Sequence, residues 1–201
     1  MEQKLKSALT KKKILDAAEL EFAEKGFSAA RVDEIAKKAG INKQMIYMHF
    51  KSKENLCAAV LENVYARLAA YEKVLSEREF EGLETIRCAI LEYFDFLMGN
   101  PTFVRLVLWE NLDYARHSEG VETSLFYGVK KLLETGIEKG VIRKELDIEQ
   151  TAISMNMFCF SAFSNIHTVS KFIKKDLSGE AQLKKRAEHI ADILMRFVAA
   201  D

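Results

Sequence analysis

Apolar residues recur three and four positions apart along most of this chain, the spacing that lines one face of an α-helix. Ile14, Leu15, Ala18 and Phe22 set that pattern over residues 11–25, and Gly26 follows where a left-handed residue ends a helix without a Cβ penalty. Val32, Ile35, Ala36 and Ala39 predict a short second helix closed by Gly40. Asn42 is a good N-cap for a third, on which Ile46 and Phe50 share one side. Ser52 caps again, and "KSKENL" opens a long amphipathic helix reaching to about residue 77. Further helices are predicted over residues 81–98, 101–114, 120–139, 147–174 and 180–200, with Pro101 at a first helical position and Gly140 at a stop. One proline, nine glycines and no hairpin signals leave little material for sheets, so the fold class is all-α.

Two short helices joined by a glycine turn make a helix-turn-helix, whose second helix can enter the major groove of DNA. With Ile46 and Phe50 turned inward, Lys43, Gln44, Met45, Tyr47 and His49 are left to the outside or the flanks. Gln44 can read a base edge with its paired donor and acceptor, and Tyr47 and His49 can donate to phosphate oxygens. Lys53 adds a cation at the start of the long helix, where free backbone N–H groups already favour an anion. The chain divides into a head, residues 1–50, and a body, residues 51–201. That boundary falls inside the long helix, so movement of the body is expected to reach the head.

Charge sharpens the division. Residues 1–53 hold twelve Lys and Arg against seven Asp and Glu, a net of +5, whereas the remainder holds eighteen against twenty-three, a net of −5. Phosphate attracts such a head and repels such a body. The lysines at 4, 6, 11, 12 and 13 either track phosphate or form a solvated tail. Cys57, Cys88 and Cys159 are odd in number, widely spaced and set in apolar helical patterns, which reads as reduced thiols and a cytoplasmic location. No signal peptide or transmembrane span is expected, because the most apolar run, residues 152–163, is interrupted by Ser154 and Asn156.

"ILDAAELEFAEKGF", "VDEIAKKAGI" and "IYMHFKSKENL", in that order and spacing, resemble the DNA-binding domain of the tetracycline-repressor (TetR) family over roughly residues 11–57. The resemblance implies a homodimeric transcriptional regulator, usually a repressor, whose C-terminal body binds a small effector molecule that releases it from operator DNA. By that resemblance Tyr47, His49 and Lys53 contact phosphates, and Lys43, Gln44 and Met45 face bases. Ala30 and Arg31 stand where the family often has Thr or Ser, so that contact is lost or passes to Ser28 or Arg31. Gln44 and Met45 replace small residues common in the family, which leaves the operator sequence unread.

In the body, aromatic residues are mostly core, and "FVRLVLWENLDYARH" mixes apolar walls with polar handles. The expected ligand-binding set is Tyr93, Phe103, Arg105, Trp109, Asn111, Asn156 and Phe158. Asn156 lies in an apolar run and needs a partner: a ligand, a residue across a dimer, or a backbone carbonyl. Phe163, Ile166, Ile190, Leu194 and Phe197 are the expected dimer residues, since two recognition helices related by a twofold axis can engage major grooves about 34 Å apart. Glu110, Asp113 and His117 share a face without a second histidine or a cysteine, so a surface cluster is favoured over a metal site. No cofactor is expected. An inducer-independent regulator controlled through a protein partner is the alternative reading; a helical enzyme is disfavoured because no nucleophile, metal or phosphate-loop constellation occurs.

Overall fold

The computed structural model describes residues 2–113 and 126–200. The helices are α1 (Glu2–Ala29), α2 (Val32–Ala39), α3 (Lys43–Phe50), α4 (Lys53–Ser76), α5 (Leu83–Gly99), α6 (Pro101–Leu112), α7 (Tyr127–Glu138), α8 (Ile148–Ser164), α9 (Ile166–Phe172) and α10 (Glu180–Val198). Among the described residues there is no strand, only an isolated bridge between Ile142 and Ala199. The chain is all-α, as its periodicity predicts.

Two compact units emerge from the packing of the described residues: 2–67 with 102–113, and 68–101 with 126–200. Helix α4 contributes residues to both.

In the first unit α1 packs on α2 and α2 on α3, around Ile14, Ala18, Phe22, Ile35, Ile46, Leu56 and Leu61, all fully buried. Each such aliphatic or aromatic side chain contributes about 1.5–3 kcal/mol on burial. The lysine-rich arm is not a tail: it is the exposed first half of α1, with Lys6 paired to Glu2 one turn away at 2.7 Å. Near its other end α1 kinks at Gly26 (φ 72°, ψ 170°). A Cβ there would come within 2.8 Å of the Trp109 ring, so both the backbone angle and the close approach require glycine. Arg67 on α4 grips Glu19 on α1 as a fork, at 3.0 and 2.7 Å.

In the second unit α5 packs on α10, α8 and α7, and α8 on α7 and α10. Ile86, Phe94, Leu97, Leu133, Ala152 and Ala191 fill the centre. Arg87 ties α5 to α10 through Glu188 and Asp192. The single helix predicted over 147–174 is two helices, because Asn165 leaves helical geometry (φ −110°, ψ 7°) and its side chain bonds Ser164 Oγ at 3.0 Å. Such a one-residue break is invisible to periodicity. Residues 120–125 of another predicted helix lie outside the described residues, as do Tyr114 and His117.

Candidate nucleic-acid interface and effector cavity

Local sequence positions α3. Gly40 adopts a left-handed conformation (φ 66°, ψ 37°) and its N–H returns to the α2 carbonyls, which turns the chain sharply. Asn42 then caps α3, its Oδ1 accepting from the Gln44 N–H at 2.9 Å, and Ser52 Oγ accepts from the Asn55 N–H at 3.1 Å to start α4. Ile46 and Phe50 hold α3 on the core. The rest of α3 is thereby forced outward: Lys43 and Gln44 are exposed, Tyr47 is 43% and Met48 67% exposed, and Met45 and His49 are half-buried.

The expected DNA residues stand in differing states. Lys43 Nζ rests 2.9 Å from Asp33, which holds its ammonium charged. An exposed pair of this kind is weak and is readily exchanged for a phosphate. Lys53 lies with Nζ 4.5 Å from the centre of the Phe27 ring and 3.4 Å from the Ser28 carbonyl oxygen. His49 Nε2 is buried without a partner among the described residues, so this arrangement does not present that nitrogen outward. Arg31 occupies the N-cap of α2 without a side-chain cap, leaving its guanidinium, like the Ser28 hydroxyl, at the surface. Met48 was not among the expected contacts. It lies four residues beyond Gln44 and is the most exposed apolar side chain of α3.

Glu21 organises this surface from beneath. It falls on the Ile14, Ala17, Ala18 stripe of α1 and is fully buried. Burial pushes its carboxyl up, but Lys25 at 2.8 Å, Lys38 at 2.7 Å and the Arg31 N–H outweigh that and hold it at about 2. Glu21 therefore stays ionised and fixes α2 to α1 at the point where Arg31 begins the helix-turn-helix.

In the second unit Tyr71, Glu72, Tyr93, Phe126, Asn156 and Cys159 enclose a cavity of about 30 Å³, with Leu75, Ile90 and Met155 completing its walls. Asn156 Nδ2 donates to the Tyr93 hydroxyl at 2.6 Å, a partner inside the same unit and none of the three anticipated. Tyr93, Tyr71 and Phe96 stack with centroids 6.0 to 6.2 Å apart. Burial raises the Tyr93 and Tyr71 hydroxyls, keeping both protonated, and pushes the Cys159 thiol up to about 12. Glu72 accepts the Gly128 N–H at 2.8 Å. Burial raises its carboxyl, and the N–H groups of Gly128, Val129 and Phe126 partly offset this.

The other expected ligand residues do not line this cavity. Phe103 is buried in the first unit, edge-on to Tyr65 at 6.0 Å. Trp109 lies there too, its indole N–H directed at the Ala23 carbonyl at 3.3 Å, and Arg105 and Asn111 are exposed on the same helix. Phe158 is exposed on α8. Of the expected dimer residues, Ile190 and Leu194 are only 2% and 1% exposed within their own unit, which removes them from any surface open to a second copy. Phe163 packs on Phe94 at 4.7 Å, Ile166 is half-buried, and Phe197 is exposed beneath the Arg143 guanidinium. Periodicity marks an apolar stripe but not which neighbour it meets.

Comparison with known proteins agrees with this geometry. The chain matches the family model for bacterial regulatory proteins of the tetR family over residues 14–60 and the tetracyclin repressor-like C-terminal domain over residues 83–194. It is 30% identical over 193 residues to the HTH-type transcriptional repressor NicS of Pseudomonas putida, covering 93% of this chain and 91% of that one. It is 31% identical over 195 residues to the HTH-type transcriptional repressor SCO4008 of Streptomyces coelicolor, covering 91% and 95%. The transcriptional regulator FadR from Bacillus subtilis, solved in complex with stearoyl-CoA, superposes with a TM-score of 0.70 at 22% identity, over 91% of this chain and 96% of that one. Matched through both its helix-turn-helix and its C-terminal helices, the chain belongs to the TetR family of transcriptional regulators.

Proposed function

We propose that this regulator represses by binding operator DNA as a homodimer through α3, and that a small, partly apolar molecule entering the second unit's cavity releases it. The observation that carries the reading is the sorting of α3: Ile46 and Phe50 buried, Gln44, Tyr47 and Met48 exposed. In this assignment residues 1–50 bind DNA and residues 51–201 sense and dimerise. Gln44 and Met45 face bases, with Lys43 beside them, and Tyr47, Lys53, Ser28 and Arg31 hold phosphates, whereas His49 joins them only if its ring turns Nε2 outward. Exposed apolar side chains on α8, α9 and α10, among them Phe158, Phe172, Ile193 and Phe197, are the proposed dimer surface. Such a protein works in the cytoplasm beside its DNA; among the described residues no helix is long and apolar enough to cross a membrane.

Release is a population shift. Ligand weakens DNA binding only by favouring an arrangement that binds DNA less well, and operator then weakens ligand binding by the same factor. At about 30 Å³ the cavity is small, whereas small-molecule sites run to about 300–1,000 Å³, so the ligand-bearing arrangement is a wider one. The same observation favours the second reading, an inducer-independent regulator controlled through a protein partner.

The deciding experiment is binding to DNA fragments from beside the protein's own gene, at two salt concentrations and against random competitor, followed by a screen of apolar small molecules for release. Competitor-resistant, salt-sensitive binding reversed by a small molecule supports the reading. Specific binding that no small molecule reverses favours the protein-partner alternative, and failure of a genome-wide selection to recover any site overturns both.

A further inference from the structure

Among the described residues four acids are buried on helices: Glu19 and Glu21 on α1, Glu72 on α4 and Glu110 on α6. Three have polar partners, Glu19 in the Arg67 guanidinium, Glu21 in two lysines and Glu72 in a backbone N–H group. Glu110 differs. Its side chain is 6% exposed, and its Oε2 has no hydrogen-bond partner among the described residues. Its charge is felt by its neighbours: burial first and the Glu110 carboxylate second push the Cys57 thiol up to about 12. A buried carboxyl oxygen without a partner is costly, and such an atom in a native structure calls for a physical reason.

Space lies beside it. In the first unit Glu110 borders a cavity of about 280 Å³ between the Gly26 kink of α1 and the inner face of α6. Phe22, Phe27, Leu61, Leu106 and Trp109 supply apolar and aromatic walls. Glycine at position 26 lets the Trp109 ring approach the backbone, since a Cβ would meet it at 2.8 Å. Asp113 lines the cavity beside Glu110, and the one lining ammonium, Lys25, is already paired with Glu21. Carboxylates among aromatic faces are the chemistry that recognises a compact organic cation, whose charge pairs with the acid and whose body stacks on the rings.

We infer that the first unit carries a small-molecule site of its own, walled by Trp109, Phe22 and Phe27 and anchored by Glu110, for a compact cation with an aromatic or apolar body such as an arylalkylammonium or arylamidinium. This site lies wholly in the unit that holds the helix-turn-helix and shares no residue with the Tyr93–Asn156 cavity. Because Ser28 also borders it, an occupant shifts DNA affinity. That corollary rests on the DNA assignment of Ser28, whereas the test below uses the protein without DNA, so the two fail separately.

Trp109 is the chain's one tryptophan, so its fluorescence reports occupancy. The full-length protein is titrated with phenethylammonium and benzamidinium, and with the neutral benzamide and anionic benzoate as shape-matched controls. Saturable change with the cations, at least tenfold weaker for both controls, and at least tenfold weakened by Glu110→Gln, is the expected result. The exposed Glu62→Gln carries the same change in net charge and should leave the affinity unaltered. Equal response to cation and neutral analogue, no saturable response, or undiminished binding by Glu110→Gln overturns the site. Thermal unfolding without ligand adds an independent check: an unpartnered acid is replaced without loss, so the midpoint of Glu110→Gln should be unchanged or higher. A marked fall would assign Glu110 a structural partner and overturn the proposal, even where the variant is too unstable to titrate.

Discussion

The Glu21 carboxylate and the Lys38 ammonium meet 2.7 Å apart, joining the buried face of α1 to the last turn of α2. Lys25 holds the other carboxylate oxygen at 2.8 Å. The pairing sets a pH dependence whose sign follows from the depressed carboxyl, at about 2 against an ordinary 4.5. The stabilisation is fully present above the unfolded value and is lost as pH falls from 4.5 towards 2. Glu21→Gln should cost about 1–3 kcal/mol near neutral pH by removing the carboxylate that pairs with Lys25 and leaving Lys38 with Glu24 alone. Its thermal midpoint should therefore lie below the parent's at pH 7 and converge with it as the pH approaches 2. Parallel curves at every pH would remove Glu21 as the titrating group.

Base reading and phosphate holding should separate on α3. Gln44→Ala should relax preference at one base pair per half-site, costing about 1–3 kcal/mol against the preferred base. Tyr47→Phe should weaken binding uniformly across sequences by about 0.5–1.5 kcal/mol. Lys53→Ala should do the same and reduce the salt slope by about one unit per half-site. Binding-site selection at two salt concentrations measures all three.

Gly128 offers a test of the second unit. A Cβ there would clash with the Glu72 carbonyl oxygen and stand 2.7 Å from Leu75 Cβ, so Gly128→Ala must move α7 or α4 by a substantial fraction of an ångström. The overpacking cost is about 1–3 kcal/mol, a fall of roughly 2–4 °C per kcal/mol in a chain of this size. Calorimetry reads it directly.

The Tyr93–Asn156 bond is suited to a double-mutant cycle. Tyr93→Phe and Asn156→Leu each leave a half-buried polar group without its partner and should cost about 1–3 kcal/mol, whereas the pair together should cost less than the sum. Additivity would mean that the 2.6 Å contact carries no coupling.

The head was largely legible because its signals are local. Asn42, Gly40 and Ser52 act within a few residues of themselves, and each stands where its sequence neighbours place it. What stayed hidden depends on contacts far apart in the chain. Nothing local tells that residues 102–112 join the first unit, so Phe103 and Trp109 read as plausible walls for a cavity they do not line. Ile190 and Leu194 present the same stripe whether they meet their own unit or a second copy. The buried acids are an intermediate case. Glu21, Glu72 and Glu110 each fall at helical spacing among apolar residues, a visible anomaly, but Lys38 and the Gly128 N–H, which meet Glu21 and Glu72, lie on other elements, and Glu110 Oε2 has no partner among the described residues.

Helix α7 begins at Tyr127 without a side-chain cap of its own, behind a left-handed Phe126 (φ 67°). The acceptor for its free N–H groups comes instead from Glu72, more than fifty positions earlier in the chain. The start of α7 is therefore written in a different helix, and the two places are bound in descent. A relative that loses the acid at 72 has to gain a serine, threonine, asparagine or aspartate just before α7, and to recover room for a side chain at 128. Across the family those positions should change together or not at all.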